Sequence, residues 1–360
     1  MTRYMKVADV GDGLCLSVRN DSGNLQVDCG SSSLAPEDVY QKMFHFTCDL
    51  QTDNIILLSH FHWDHYSGFL SDSALSGNSR FPISHLFYPS IPVIVDDSNH
   101  KKEELTIAIM AISAFIALEI TGIPNLDIVQ IVQYISSTRF ESRPLSRGDL
   151  ITLSSTEKMR ILWPPKCIKI EEIGKAVNDA LNSFQEALDD NPELKEIHDF
   201  FKAKHTNEID NRCFEIDKRD LKDRYLKKRH DIQDLPETVK KADEKLRKVA
   251  NRLSLAFQIV DDSNSSEVLF MGDLESGEIN KVLENLPQTN KHRFLIAPHH
   301  GTHWSSELSK VRNNGIKIAT VSVMSFGNDL HPYARCSDYC QISDNCLSTF
   351  CKGDMCFTLT

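Results

Sequence analysis

The chain reads as an α/β fold in which strands deliver polar side chains to one end of a sheet. Three observations predict it. Apolar runs of strand length stop abruptly at histidine and aspartate. These are Ile55-Ile56-Leu57-Leu58 before Ser59-His60-Phe61-His62-Trp63-Asp64-His65, Val268-Leu269-Phe270-Met271 before Gly272-Asp273, and Phe294-Leu295-Ile296-Ala297-Pro298 before His299-His300-Gly301. The chain opens on strand-like runs separated by Gly- and Asn-rich turns. A long charged stretch, 169–248, carries apolar residues at helical spacing.

The densest signal is the run from His60 to His65. Three imidazoles and a carboxylate lie within six residues, too close for a helix to aim them all at one point. A loop leaving a strand end can do so, because the strand anchors a backbone that turns freely. Imidazole plus carboxylate is a ligand set for zinc that also suits manganese or iron. A surface histidine cluster is the plainer alternative, and the spacing His-x-His-x-Asp-His argues against it.

The 360 residues, 41% hydrophobic and 25% charged, are ordinary for a globular protein and long for one domain, so an insertion is expected. A formal net charge of −11 argues against a generally basic, nucleic-acid-coating surface while leaving room for a local groove. Met1 to Lys6 lead straight into a strand pattern without an apolar signal region, so a cytoplasmic location is expected. The ten cysteines are then thiols or metal ligands. The apolar segment from Leu105 to Ile123 is too short to cross a bilayer and is closed by Glu119 and Pro124. It is expected to be buried in the chain or against a partner.

Taken in order, residues 4–28 read as a β-meander ending at Asp28-Cys29-Gly30. Ile83 to Pro89 form a further strand whose His85 is a structural histidine. A helical pattern over 101–142 breaks at Gly122-Ile123-Pro124. Arg147-Gly148-Asp149-Leu150-Ile151-Thr152-Leu153 and Met159-Arg160-Ile161-Leu162-Trp163-Pro164 restore strand character. Residues 251–260 read as a strand introduced by Asn-x-x-Ser.

The motifs His60-x-His62-x-Asp64-His65, Gly272-Asp273 and His299-His300-Gly301 resemble, in that order, those of the metallo-β-lactamase superfamily. More narrowly, Asp9-Val10-Gly11-Asp12-Gly13 with Asp28-Cys29-Gly30 resembles the hydrolase domain of competence (ComEC-like) DNA-uptake proteins, with Asp12 and Gly13 in swapped order. Ser325-Phe326-Gly327 to Asn328 and His331-Pro332 resembles that branch's ending.

The resemblance implies an αββα sandwich with one or two divalent ions, zinc or alternatively manganese. One ion would be held by His60 and His62, the other by Asp64, His65 and His299, with Asp273 between them. Asp28 would buttress the ligand loop by hydrogen bonding. Asp64 would orient the hydroxide and take its proton, His300 would sit beside the substrate, and His331 would protonate the leaving oxygen or bind a phosphate. Most superfamily members carry another histidine between the His cluster and the bridging aspartate. No histidine closely follows Trp163-Pro164-Pro165, and His198, His205 and His230 all sit in the charged insertion, an absence shared with the competence branch that leaves one-ion occupancy open.

The expected organisation is therefore 1–166 and 250–360 as two halves of one sandwich, with 167–249 as a charged helical insertion. Cys336, Cys340, Cys346, Cys351 and Cys356 crowd the tail. They could form a structural zinc site, although no CxxC pair is present and idle thiols on a closing hairpin are the plainer reading.

The function expected is that of a metal-dependent hydrolase, a phosphodiesterase or nuclease using a metal-activated hydroxide. Hydrolysis of a carboxylic ester, lactone or thioester is the alternative. A partner-binding module, docking or self-associating through 101–142 or 167–249, is the third reading, and no membrane contact is expected.

Overall fold

A computed structural model describes residues 3–19, 23–47, 53–71, 83–90, 92–95, 104–105, 107–109, 111–112, 141–169, 173–206, 235–263, 265–286 and 291–359. Most of the apolar 105–123 segment and the basic run 227–230 lie outside them. Leu105, Ile107, Ala108, Ile109, Ala111 and Ile112 are helical and buried. No helix among the described residues is long and apolar enough to cross a membrane.

Among the described residues, two sheets have seven strands each. The first is ordered β16 (Met355–Leu359), β1 (Arg3–Val7), β2 (Gly13–Arg19), β3 (Gly23–Ser31), β4 (Asp53–Leu57), β5 (Ile83–Pro89) and β7 (Glu141–Leu145). The second is ordered β15 (Ser343–Ser348), β14 (Ala319–Met324), β13 (His292–Ile296), β12 (Ser266–Phe270), β11 (Ala256–Asp261), β9 (Glu157–Trp163) and β8 (Leu150–Thr152). β6 (Val93–Val95) and β10 (Cys167–Lys169) pair separately.

Alternating side chains explain the layering, because each strand sends every second residue to one face. Met5, Val7, Leu14, Leu16, Val18, Leu25 and Val27 of the first sheet share a core with Met159, Ile161, Phe257, Ile259, Val268, Phe270 and Phe294 of the second. The opposite faces take helices. Val39, Tyr40 and Met43 of α1 (Pro36–Thr47) are buried as that helix packs on β2 and β3. The expected αββα layering is thus present.

The chain divides into two compact units, 1–90 with 131–166 and 251–360, and 91–130 with 167–250. The second unit holds α3 (Lys175–Asp190), α4 (Pro192–Thr206) and most of α5 (Glu237–Arg252). On α5, Val239, Ala242, Leu246 and Val249 are buried at the i, i+3, i+7 spacing of one helix face. The expected strand over 251–260 is shorter: α5 runs through Arg252 and β11 begins at Ala256. The expected closing hairpin is absent. β15 joins one sheet and β16 the other, separated by the helical turn α9 (Thr349–Lys352) and by Gly353 at φ +68°.

Candidate metal centre

β4 runs parallel to β3 and β5, so its C-terminal end opens beside theirs, where the chain breaks into Ser59–His62 and the single turn α2 (Trp63–Tyr66). From the second sheet, β12 ends at Gly272-Asp273. β13 ends at a 3-10 turn, Pro298–Gly301. Parallel β12 and β13 place both ends side by side, and His299 N–H donates to Gly272 O at 2.9 Å. Ser254 couples the sheets: its hydroxyl accepts from Asp273 N–H at 3.0 Å, while Leu255 N–H donates to Ser59 O at 2.8 Å.

These loops bring Asp64, His65, Asp273 and His300 together, one ligand atom from each lying within 4.8 Å of all the others. His65 Nε2 is 3.3 Å from Asp273 Oδ2, and His300 Nε2 is 3.3 Å from Asp64 Oδ2 and 3.6 Å from Asp273 Oδ2. His65 Nε2, Asp273 Oδ2 and His300 Nε2 are buried without an aligned hydrogen bond, so the short approaches are ion-pair contacts only. Three buried polar atoms aimed at a common point are costly unless something charged sits there. A divalent cation fits this donor set.

His299 Nε2 is also 3.6 Å from Asp273 Oδ2, but its ring is partly exposed and it stands outside the tight group, which takes His300 where His299 was expected. Thr302 explains the aim of that ring. Its hydroxyl donates to His299 O at 2.7 Å, so it can only accept from His299 Nδ1, also at 2.7 Å, which leaves the Nε2 lone pair facing Asp273. His60 and His62 stand beside the group, His60 Nε2 being 3.7 Å from Asp273 Oδ2 and 2.9 Å from His62 Nδ1. Ligation by both would require that mutual hydrogen bond to open.

Asp28 is fully buried and takes a left-handed backbone at φ 54°. Its carboxylate accepts from Ser59 N–H at 2.7 Å and from His65 Nδ1 at 2.8 Å, which sets the His65 tautomer and turns Nε2 inward. His299 and His300 share the left-handed region at φ 47° and 60°, an uncommon conformation that this loop uses to turn two consecutive rings toward Asp273. Gly30 allows the ligand loop to approach closely, since a Cβ there would stand 2.5 Å from Asp64 C, His65 N and Tyr66 N.

The electrostatics agree. Burial works against charge throughout, yet His65, His300, His299 and His60 together hold Asp273 well below the ordinary carboxylate range. Burial also opposes charge on His65, but Asp273, Asp28 and Asp64 outweigh it and push that imidazole well above its ordinary value. His60 goes the other way, lowered by burial and by the His65 charge. The carboxylates here call for positive charge.

His331 lies apart. Its exposed ring stacks on Phe350 at 4.4 Å and lies 6.0 Å from Phe326. Asp12, whose importance the sequence reading missed, holds its loop. Buried Asp12 accepts from the backbone N–H of Gly327 at 2.8 Å, Leu330 at 3.1 Å and Asp329 at 3.2 Å. His303 was also missed. Its ring lies 4.0 Å from that of His299, and Nδ1 is 2.9 Å from Leu274 O. Its Thr-His position after His299-His300-Gly301 was the available signal. His85 contacts Ser84 and Glu141, far along β5 from its C-terminal end.

Neither a protein-family model nor a curated protein matches the chain. Among solved structures it is similar to the metallo-β-lactamase fold protein YhfI from Bacillus subtilis, at 12% identity and TM-score 0.41, over 98% of this chain and 99% of that one. It is similar to a protein of unknown function from Enterococcus faecalis V583 at 10% identity and TM-score 0.35, over 82% of this chain and 49% of that one. The long form of RNase Z from yeast gives 8% identity and TM-score 0.38, over 90% of this chain and 37% of that one. These likenesses are distant, and the architecture stands on the chain's own strand order. Two facing sheets between helices, with histidine and aspartate gathered at the strand ends of both, make this an αββα sandwich.

Proposed function

We propose that the chain is a metal-dependent hydrolase that cleaves phosphodiesters. The observation that carries the reading is the convergence of His65 Nε2, Asp273 Oδ2 and His300 Nε2, buried and without aligned hydrogen bonds, beside Asp64. Asp64, His65, Asp273 and His300 would hold one ion, and His60 and His62, with Asp273 shared, would offer a second position. A divalent ion in such a site makes hydroxide available at neutral pH and offsets charge on a phosphoryl oxygen. The side chains do the remaining work. Asp64, the more open of the two carboxylates, orients the attacking water and accepts its proton. His299, whose partly exposed ring stands beside the group, would contact the substrate. The motif resemblance to the competence hydrolases favours a nucleic acid or a smaller phosphodiester over a carboxylic ester.

Metal analysis of the purified chain tests the reading, paired with assays on bis-(p-nitrophenyl) phosphate, single-stranded DNA, RNA and a lactone. Chelator-sensitive phosphodiester turnover is expected, falling by about 100-fold or more in Asp64→Ala. Turnover of the lactone alone would replace it with carboxylic ester hydrolysis. Bound metal with no turnover would favour a partner-binding role.

A further inference from the structure

The tail cysteines add no site: among the described residues Cys336, Cys340, Cys346, Cys351 and Cys356 are free thiols that form no metal-ligand group. The same stretch of chain holds an aromatic feature instead. Two large rings that burial would normally claim stand in the open, Tyr333 at 70% exposure and Phe350 at 41%. Exposed His331 stacks on Phe350 with ring centroids 4.4 Å apart and planes 20° apart. Buried Phe326 backs the pair, 6.0 Å from His331 and 5.9 Å from Phe350. The backbone beneath holds the stack in place. Thr349 Oγ1 accepts from Phe326 N–H at 3.2 Å and donates to Phe326 O at 3.3 Å, so the residue before Phe350 is fastened to the supporting ring. His331 N–H donates to Gly327 O at 3.1 Å, and Asp12 grips Gly327 and Leu330.

The anchors of this turn lead to the candidate metal centre. Arg335 N–H, four residues after His331, donates to Gly301 O at 2.9 Å, next to His300. On the other side, Asp12 O accepts from Ser32 N–H at 2.8 Å, two residues past Gly30, on which the Asp64–Tyr66 backbone packs. The geometry points to the His331–Phe350 stack as a seat for an unpaired nucleobase, so that the phosphodiester cut at the metal centre is one that joins nucleotides. The inference rests on the phosphodiesterase reading and names its substrate class.

A flat, preset ring pair offers a π face, and every base has a π face to lay on it. The exposed neighbours Asn328, Asp329 and Lys352 are polar, which suits one planar ligand better than a broad apolar docking face. Net charge decides which contact supplies affinity. Lysine and arginine on phosphates dominate the binding of basic proteins to nucleic acid. At a formal charge of −11 this chain lacks that surplus of cations, so stacking must carry a larger share. A base inside a duplex would first have to leave its own stack, so a single strand or a strand end is the form required.

The test is binding, read without turnover, in the full chain carrying Asp64→Ala. A single-stranded hexadeoxynucleotide containing 2-aminopurine should bind with quenched emission, and an abasic strand of the same charge should bind about 10-fold more weakly. Phe350→Ala and His331→Ala should each weaken binding of the base-containing strand by about 10-fold and leave the abasic strand unaffected, and Phe350→Trp should keep the parent affinity. His331→Ala trims an exposed ring, so the answer does not depend on Phe350→Ala folding. Base-dependent binding without turnover of bis-(p-nitrophenyl) phosphate by the unmutated chain would remove the phosphodiesterase reading and leave the base seat standing. Equal affinity for the two strands, or unchanged binding in both alanine variants, would overturn the proposal. So would a change from dimer to monomer in those variants with strand binding intact, which would make the stack a contact between copies of the chain.

Discussion

Removing the Asp12 carboxylate should loosen the His331 loop by an amount the hydrogen bonds themselves set. Asp12 Oδ1 accepts from the buried Gly327 N–H and the half-buried Leu330 N–H, while Oδ2 accepts from Asp329, an exposed residue whose N–H water can satisfy. A hydrogen bond to a charged group contributes about 1.5–3 kcal/mol, and a buried donor left unpaired costs a similar amount. Counting Gly327 at about 2 kcal/mol, Leu330 at about 1 and Asp329 near zero, Asp12→Ala should destabilise the sandwich by about 3 kcal/mol. Asp12→Asn keeps an acceptor at Oδ1 and should cost about 1 kcal/mol. All three tryptophans, Trp63, Trp163 and Trp304, belong to the sandwich unit, so urea unfolding followed by tryptophan fluorescence reports that unit. A shifted midpoint at unchanged slope is the expected form. Hydrogen exchange should show lost protection at Gly327 and Leu330. An Asp12→Ala cost below about 1 kcal/mol, or an Asn variant as unstable as the Ala variant, would refute the reasoning.

Three further outcomes follow from the same geometry. His292 is buried against Ser266 Oγ and lowered to about 4 by burial, against about 6.5 unfolded. The unfolded chain therefore binds the proton first as pH falls, so this contribution is complete above about 6.5 and lost toward 4. Acid unfolding of His292→Gln should be shallower across that window, by up to about 3 kcal/mol, and a steeper loss would contradict the assignment. Gly30→Ala forces a Cβ onto the backbone of Asp64–Tyr66, and calorimetry with metal titration should show about 1–3 kcal/mol of destabilisation and weakened metal binding. His300→Ala should lower metal affinity more than His299→Ala in the same titration, because only His300 belongs to the tight group; the reverse order would return the ligand role to His299.

Much of this protein was legible in its residues because the signals are local. An apolar run that ends in His60-x-His62-x-Asp64-His65 announces a strand and a loop together, and the alternation through β1 to β3 dictates which side chains face inward. The residues that would act together stood in the sequence as separate motifs. What the sequence could not decide is how they meet. The choice between His299 and His300 depends on two left-handed residues and the Thr302 hydroxyl, and neighbouring rings in a chain are distinguished only by backbone angles. The reach of Asp12 to Gly327 spans more than three hundred residues, and nothing near Asp12 hints at it. The tail likewise reads as a hairpin until β15 and β16 find their partners, because strand partners are chosen by long-range pairing and not by the turn between them. Residue types and their period determined the elements and the chemistry on offer; the packing of two sheets decided which atoms share a point in space, because burial and long-range hydrogen bonds exist only once the chain has closed.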